Sequence, residues 1–521
     1  MQKVEIYFSI LVLAGLFIVS SVTGCGGNLS GGSEETDSGQ ESVTVDEGSD
    51  EIVDIIWQYP ALSEQGEAFY RMEDALNEMM EKDIGVHVTF GPTKLLESQS
   101  DAILMVSAGE QLDICLTAFE SVGNLVEQGL ILPLDDLVAK SGGNITEQLG
   151  EHAERGKYKG TLYGIVPGDV DYQIYSYTMK TRFVEKYNIE VDDDKIYTLE
   201  EMEEIFDTVK AGEGDDFICF IPWNNTYDPL NYSLCEYDKL AGGLAQGVLM
   251  LNRSFEDTTI YNLFETEEYA QHAERMYRWA QKGFIAADAS VSTDDPTEVF
   301  NRENVLGTFG YGEPEAKMML TESYNDDVVQ FKVVDIYQPG NGGGAILWNI
   351  PITSANPEKA MEALNYIYAN KEAAWLIQYG FEGEEWEVVE DDGENLLIQY
   401  LEEDATQRAY ANPYGIWGDI LEHPVFAPTP IDRSARRREY QEALPDLRKS
   451  PAFGYTFDQA SVSAEVAAVD VVIAQYATTI NCGALDPEKA LPEFIESLKG
   501  AGIDKIIAEN QKQFDEWLAL E

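Results

Sequence analysis

Apolar positions open the folded part of the chain in a strand–helix alternation. EIVDIIW (51–57) reads as a strand. Glu64–Lys82 then carries Phe69, Met72, Leu76 and Met79 or Met80 at helical spacing. Val86–Phe90 predicts a strand, Thr93–Ser107 a helix, LDICLT (112–117) a short buried strand and Phe119–Gln128 another helix. Strands alternating with helices predict a largely parallel sheet covered on both faces. GLILPLDDLV (129–138) and KYKGTLYGIVP (157–167) follow, the second as a hairpin or strand running into Pro167. Thr198 with Glu201 three residues on predicts a capped helix over 197–212. Strands are expected at Phe217–Trp223, Phe331–Gln338 and Ala345–Ile352, and helices at Tyr261–Gly283 and 356–380. A hairpin is expected around Asp392-Gly393, then helices over Gln459–Tyr476, Pro487–Lys499 and Ile503–Leu518.

A different pattern precedes all this. Ile6–Ser20 is an apolar run too short for a membrane span, followed by Val22-Thr23-Gly24-Cys25. The string resembles a lipobox, with Val22 where Leu is usual and Lys3 partly offset by Glu5. The resemblance implies a signal peptide over 1–24 and a lipid on Cys25. Residues 25–50 hold Gly, Ser and acid with no Lys, Arg or aromatic residue, the composition of a flexible tether. A lipid, a tether and a body place the working part on the extracellular face of the cytoplasmic membrane, most simply in a Gram-positive bacterium.

The remaining residues exceed one core, so two or three domains are expected. The chain of 521 residues carries 95 acidic against 34 basic side chains, a net charge of −61. That field repels phosphates and excludes a nucleic-acid partner; as a surface property it favours solubility. Cys115, Cys219, Cys235 and Cys482 form no CxxC pair, so no zinc ribbon is expected. Cys115 and Cys219 lie in apolar runs as buried hydrophobes, and a Cys219–Cys235 disulfide stays open. There is no P-loop, HExxH or GxSxG, and the four histidines (His87, His152, His272, His423) have no ligand or base context. GNGGGA (340–345) is followed by a strand rather than a phosphate-binding helix and reads as a turn. Neither a cofactor nor a metal is expected.

Several strings, in order, resemble the extracellular solute-binding proteins of ABC importers, family 1: the lipobox, LDICLT, GLILPLDDLV, KGTLYGIV and PITSANPEKAMEALNYIYANKEAAWLIQYG (351–380). GYTFD (454–458), EVAAVDVVIAQY (465–476) and 482–518 resemble the C-terminal domain of unknown function found on oligosaccharide-binding members. The resemblance implies an α/β, two-lobe periplasmic-binding-protein-like fold, type II-like, with a hinge, a ligand cleft between lobes and a helical C-terminal region. It places lobe 1 at 51–166 and 303–355 and lobe 2 at 167–302 and 356–521. It implies a monomer that is not an enzyme, with an oligosaccharide as ligand and ABC permease transmembrane subunits as partners.

Sugar recognition needs aromatic faces for pyranose rings and planar polar groups for hydroxyls. Ligands in open α/β folds sit beyond strand carboxyl ends. The candidates at such ends and loops are Trp57 and Tyr59, Phe119 and Glu120, Trp223 with Asn224 and Asn225, Tyr311, Trp348 and Trp417; packing is the competing role for each. Asp113 in LDI is expected to make a structural hydrogen bond. RSARRRE (433–439) is read as a solvated helix face paired with local acids, against recognition of an acidic sugar or a permease. A secreted glycoside hydrolase or lyase, a surface sensor, and a binder of peptide or another solute remain alternatives.

Overall fold

The computed structural model describes residues 52–519 apart from 62–64, 96, 119–121, 170–171, 193–194, 223–235, 241–242, 295, 313–325, 341–345, 403–406, 411, 413, 428 and 445–447. The signal and tether expected over 1–50 lie outside them. Two hydrophobic cores organise what is described.

The first core forms around the parallel strands Val53–Pro60 and Val86–Thr93, with Trp57 opposite Phe90 and bridged to Ile114. Helix Glu67–Ile84 buries Phe69, Met72, Leu76 and Met80, the stripe its sequence predicts, and stops at Gly85. Cys115–Thr117 pairs antiparallel with Leu347–Asn349. Helices Pro357–Ala369 and Lys371–Tyr379 pack here too, the first capped by Asn356 with Pro357 at its opening turn. Asp113 fixes the sheet edge as expected: it accepts from the Ile56 and Ala355 N–H groups, the Ser354 hydroxyl and the Gln111 amide at 2.7–2.8 Å.

The second core is built on an antiparallel trio, Gln173–Lys180 between Gly307–Tyr311 and Val328–Tyr337. Helix Leu199–Glu213 starts at the expected Thr198/Glu201 capping box. Helix Glu267–Gln281 and the C-terminal helices Ser463–Asn481, Pro487–Ala501 and Ile503–Leu518 cover it. Ala460–Asn481 is long and apolar enough to cross a membrane by length and composition; its Val466, Val469, Ile473, Ala477 and Ile480 are buried in this core.

These cores correct one expectation, the lobe boundaries. The opening strands Val53–Pro60 and Val86–Thr93 pair in parallel as expected, while the main strands of the second lobe run antiparallel. Residues 305–337, expected in lobe 1, belong to lobe 2 by strand pairing, and the helices at 357–379, expected in lobe 2, belong to lobe 1. The chain therefore crosses between cores three times, between Val166 and Tyr175, between Tyr337 and Leu347, and between Trp417 and Ala452.

Candidate ligand site and hinge

At the carboxyl edge of the first-lobe strands, Trp57, Tyr59, Trp348 and Trp417 come together. Ring centroids lie 5.0–5.6 Å apart between Trp57 and Trp348, Trp57 and Trp417, Tyr59 and Trp417, and Trp348 and Trp417. All four are at most 2% exposed, so no ring face is open to solvent. Instead they pack the cluster. Trp348 donates its indole N–H to the Ile416 carbonyl at 3.0 Å, tying that backbone to the strand Leu347–Asn349. The Tyr59 hydroxyl meets that of Tyr410 at 2.9 Å and accepts from the Asn412 amide at 3.0 Å; burial pushes its pKa up to about 12. Among the described residues, no acceptor meets the buried indole N–H groups of Trp57 and Trp417.

An aromatic side chain that is open to solvent stands at the same edge. Helix Glu67–Ile84 begins beyond the carboxyl end of Val53–Pro60, and Tyr70 in its first turn is 56% exposed. Next to it Arg71 lies 4.9 Å over the Phe381 ring and pairs with Glu384 at 2.6 Å. Tyr70 was not among the expected residues. The signal was present: it is an aromatic residue off the helix's apolar stripe. Phe119, Glu120, Trp223, Asn224 and Asn225 lie outside the described residues, and for Tyr311 only the backbone is described, paired with Tyr175.

In the second lobe a cavity of about 530 Å³, open solvent included, lies beside the segment that leads to Trp223. Phe220, Pro222, Ala289 and Ser292 line it, with Asp294 and Arg302, which pair at 2.6 Å. Beneath the neighbouring Phe300, Lys180 is fully buried, donates to the Arg302 carbonyl at 2.7 Å and is lowered to about pH 8 by burial.

The crossings carry their own anchors. Gly168 exchanges backbone bonds with Gly418 and Ile420, and Arg437 pairs with Asp169 at 2.6 Å. Arg436 pairs with Asp432 and Arg438 with Glu422, so the arginine run is tied to local acids. Tyr440 on the same helix, Arg433–Ala443, packs against Tyr172 of the first crossing. The second and third crossings bond to each other: Gln338 N–H donates to the Arg448 carbonyl and Ser450 N–H to the Gln338 carbonyl.

Among the described residues, no group of three His, Cys, Asp or Glu could hold a metal. Burial lowers His272 to about 3 and His423 to about 4. Cys115, Cys219 and Cys482 are buried free thiols.

Comparison with known proteins agrees with this architecture. Residues 451–519 match the family described as a domain of unknown function, DUF3502. Over 428 residues the chain is 24% identical to a carbohydrate ABC transporter substrate-binding protein of Streptococcus pneumoniae, covering 80% of this chain and 81% of that one. The crystal structure of the N-glycan transport solute binding protein NgtS from S. pneumoniae superposes with a TM-score of 0.71 at 20% identity, over 90% of this chain and 99% of that one. An HMO binding ABC-transporter associated solute binding protein from Bifidobacterium longum infantis gives 0.61 at 15% identity, over 90% and 99%. The fold is the two-lobe fold of solute-binding proteins, and the expected resemblance to that family is borne out.

Proposed function

We propose that this chain captures an extracellular oligosaccharide between its lobes and hands it to the membrane subunits of an ABC importer. The observation that carries this reading is similarity along four-fifths of the chain to a carbohydrate substrate-binding protein, joined to two separate cores linked by three crossings. Structures of NgtS are complexes with Man1GlcNAc and Man5GlcNAc, which makes mannose–GlcNAc glycans the first ligands to test. The protein works as a binder rather than a catalyst. Lobe closure around the sugar is the signal that a permease reads.

In this reading Tyr70, Phe119, Glu120, Trp223, Asn224 and Tyr311 offer rings and planar polar groups to the ligand, over a floor held rigid by Trp57, Tyr59, Trp348 and Trp417. Cys25 carries the lipid that keeps the monomer at the outer face of the membrane, with 26–50 as tether. Calorimetric titration of Man5GlcNAc into the full chain tests the ligand, with chromatography of the mixture afterwards. Heat of binding with intact sugar supports transport. Sugar breakdown moves the reading to a hydrolase, and absence of heat with a panel of glycans removes the mannose–GlcNAc class. Cys25→Ala is expected to release the protein from membranes; unchanged pelleting removes the anchor.

A further inference from the structure

Two aspartates are buried among the described residues, Asp113 and Asp238. The first is accounted for by the sheet edge. Asp238 stands in the short strand Tyr237–Lys239 of the second lobe, and its bonds reach far along the chain. A single oxygen, Oδ2, accepts the Gly340 N–H at 2.6 Å and the Ser450 hydroxyl at 2.6 Å. Gly340 begins the second crossing and Ser450 ends the third. The Ser450 hydroxyl oxygen in turn accepts the Ala452 N–H at 3.1 Å. Space is as tight as the bonding: a Cβ on Gly340 would stand 2.5 Å from Oδ2 and 3.0 Å from the Ala452 carbonyl oxygen. Two of three connections between the lobes thus leave the second lobe at one carboxylate.

We propose that Asp238 is the positioning residue of the hinge, setting where the second and third crossings depart and so the angle at which the lobes meet. This rests on the reading of the lobes as moving parts. Charges around the site are consistent with a carboxylate kept ionised at neutral pH. Arg155, from the Gly150–Gly156 helix of the first lobe, and Lys239 both favour the anion. On the flanking segments Arg448 is paired with Glu236 at 2.7 Å and Lys449 with Glu151 at 3.4 Å. Burial nevertheless raises Asp238 to about 6, above its ordinary 3.8. The sign follows: a raised folded pKa favours folding below about 4, and that contribution is lost as pH rises through about 6. Ionisation therefore costs the fold stability while strengthening both hydrogen bonds to the crossings. Stability alone does not call for a carboxylate here.

Hydrogen exchange of the full chain, read on peptides spanning 335–340 and 448–453, tests this without any sugar, so a failed transport reading leaves the result intact. Small-angle scattering of the same samples reports the lobe arrangement. Asp238→Ala is expected to speed exchange about tenfold in both peptides and to change the radius of gyration. Asp238→Asn, which keeps an acceptor oxygen, restores protection in both. Where Asp238→Ala does not fold, Ser450→Ala must loosen both peptides by a smaller factor while 53–60 stays protected. Wild-type protection and scattering in Asp238→Ala or Ser450→Ala overturns the proposal. So does faster exchange spread evenly through the second lobe, which is the mark of a merely structural residue.

Discussion

The first crossing and the other two are held by different physics. Both anchors set a glycine against an aspartate. A Cβ on Gly168 would fall 2.8 Å from the Asp419 Cα, as one on Gly340 would fall 2.5 Å from Asp238. At the first crossing, however, the Asp419 carboxylate is spent on its own turn, accepting the Leu421 N–H at 2.9 Å. The cross-chain work is done by backbone bonds of Gly168 and by the half-open ion pair of Arg437 and Asp169. The other two crossings also share backbone bonds, through Gln338, but there one buried oxygen in addition gathers donors that lie more than a hundred residues away in each case. An anchor of backbone ladder plus surface charge tolerates loss of one part. An anchor through one desolvated acceptor fails as a unit, because each orphaned donor carries its full desolvation cost. The first crossing is thus held by separable contacts, whereas the other two share one acceptor as their common pivot.

The sharpest way to break this contrast is bulk. Gly340→Val must displace both a carboxylate and the Ala452 backbone, and overpacking of this kind costs about 1–3 kcal/mol or more. Chemical denaturation should show that loss. The titration of Man5GlcNAc should show a fall in affinity beyond what the lost stability explains. Equal effects from Gly168→Val on affinity would erase the distinction between pivots. Next comes Arg437→Ala. The arginine is 8% exposed and its partner Asp169 more open, so the loss should be about 1–3 kcal/mol in stability. Sugar affinity is expected to stay within about threefold, since the backbone ladder to Gly418 and Ile420 remains. Smaller still in stability is Tyr70→Ala at the exposed edge: the melting temperature should hold, while binding weakens by about 1–3 kcal/mol if the ring stacks on sugar. Unchanged affinity there takes Tyr70 out of the site.

How much of this was legible depended on how local the physics was. The helix at 199–213 announced itself by its capping box, the helix at 67–84 by its apolar stripe, and the hairpin at 386–400 by Asp392-Gly393, where Gly393 takes φ +90°. The C-terminal helices came within five residues of their observed ends. Site residues fared differently because exposure is not local. Trp57 was placed at a strand end, but the strand runs on to Pro60 and both its faces are covered, so the ring is inside. Trp417 sat in a Gly-punctuated loop that folds back on the same cluster, with Gly418 at φ +77° against the Ile367 carbonyl. Lobe boundaries failed for the same reason. Periodicity marks a strand at Phe331–Gln338, and nothing in it says that this strand and 307–311 flank 173–180. Asp238, in the unremarkable string EYDKL, has no signature at all, since its partners are 102 and 212 residues away.

The last test compares acid behaviour on the two sides of the hinge. His423, in the first lobe, is buried between the Tyr379 hydroxyl at 3.0 Å and the Trp417 carbonyl at 2.9 Å, and burial lowers it to about 4. Its folded pKa lies below the ordinary 6.5, so the unfolded chain binds the proton first. The stability it contributes is present above pH 6.5 and is lost as pH falls toward 4. Asp238 runs the other way, since over 6 to 3.8 its protonation favours the folded state. Each is an effect on the order of 3 kcal/mol at most, and the two partly cancel in the intact chain. Denaturation midpoints measured from pH 7 to pH 4 should therefore fall more steeply in Asp238→Asn than in the unaltered protein, and more gently in His423→Gln. If both variants follow the unaltered curve, neither buried group titrates with folding, and the charge on Asp238 has no part in setting the pivot.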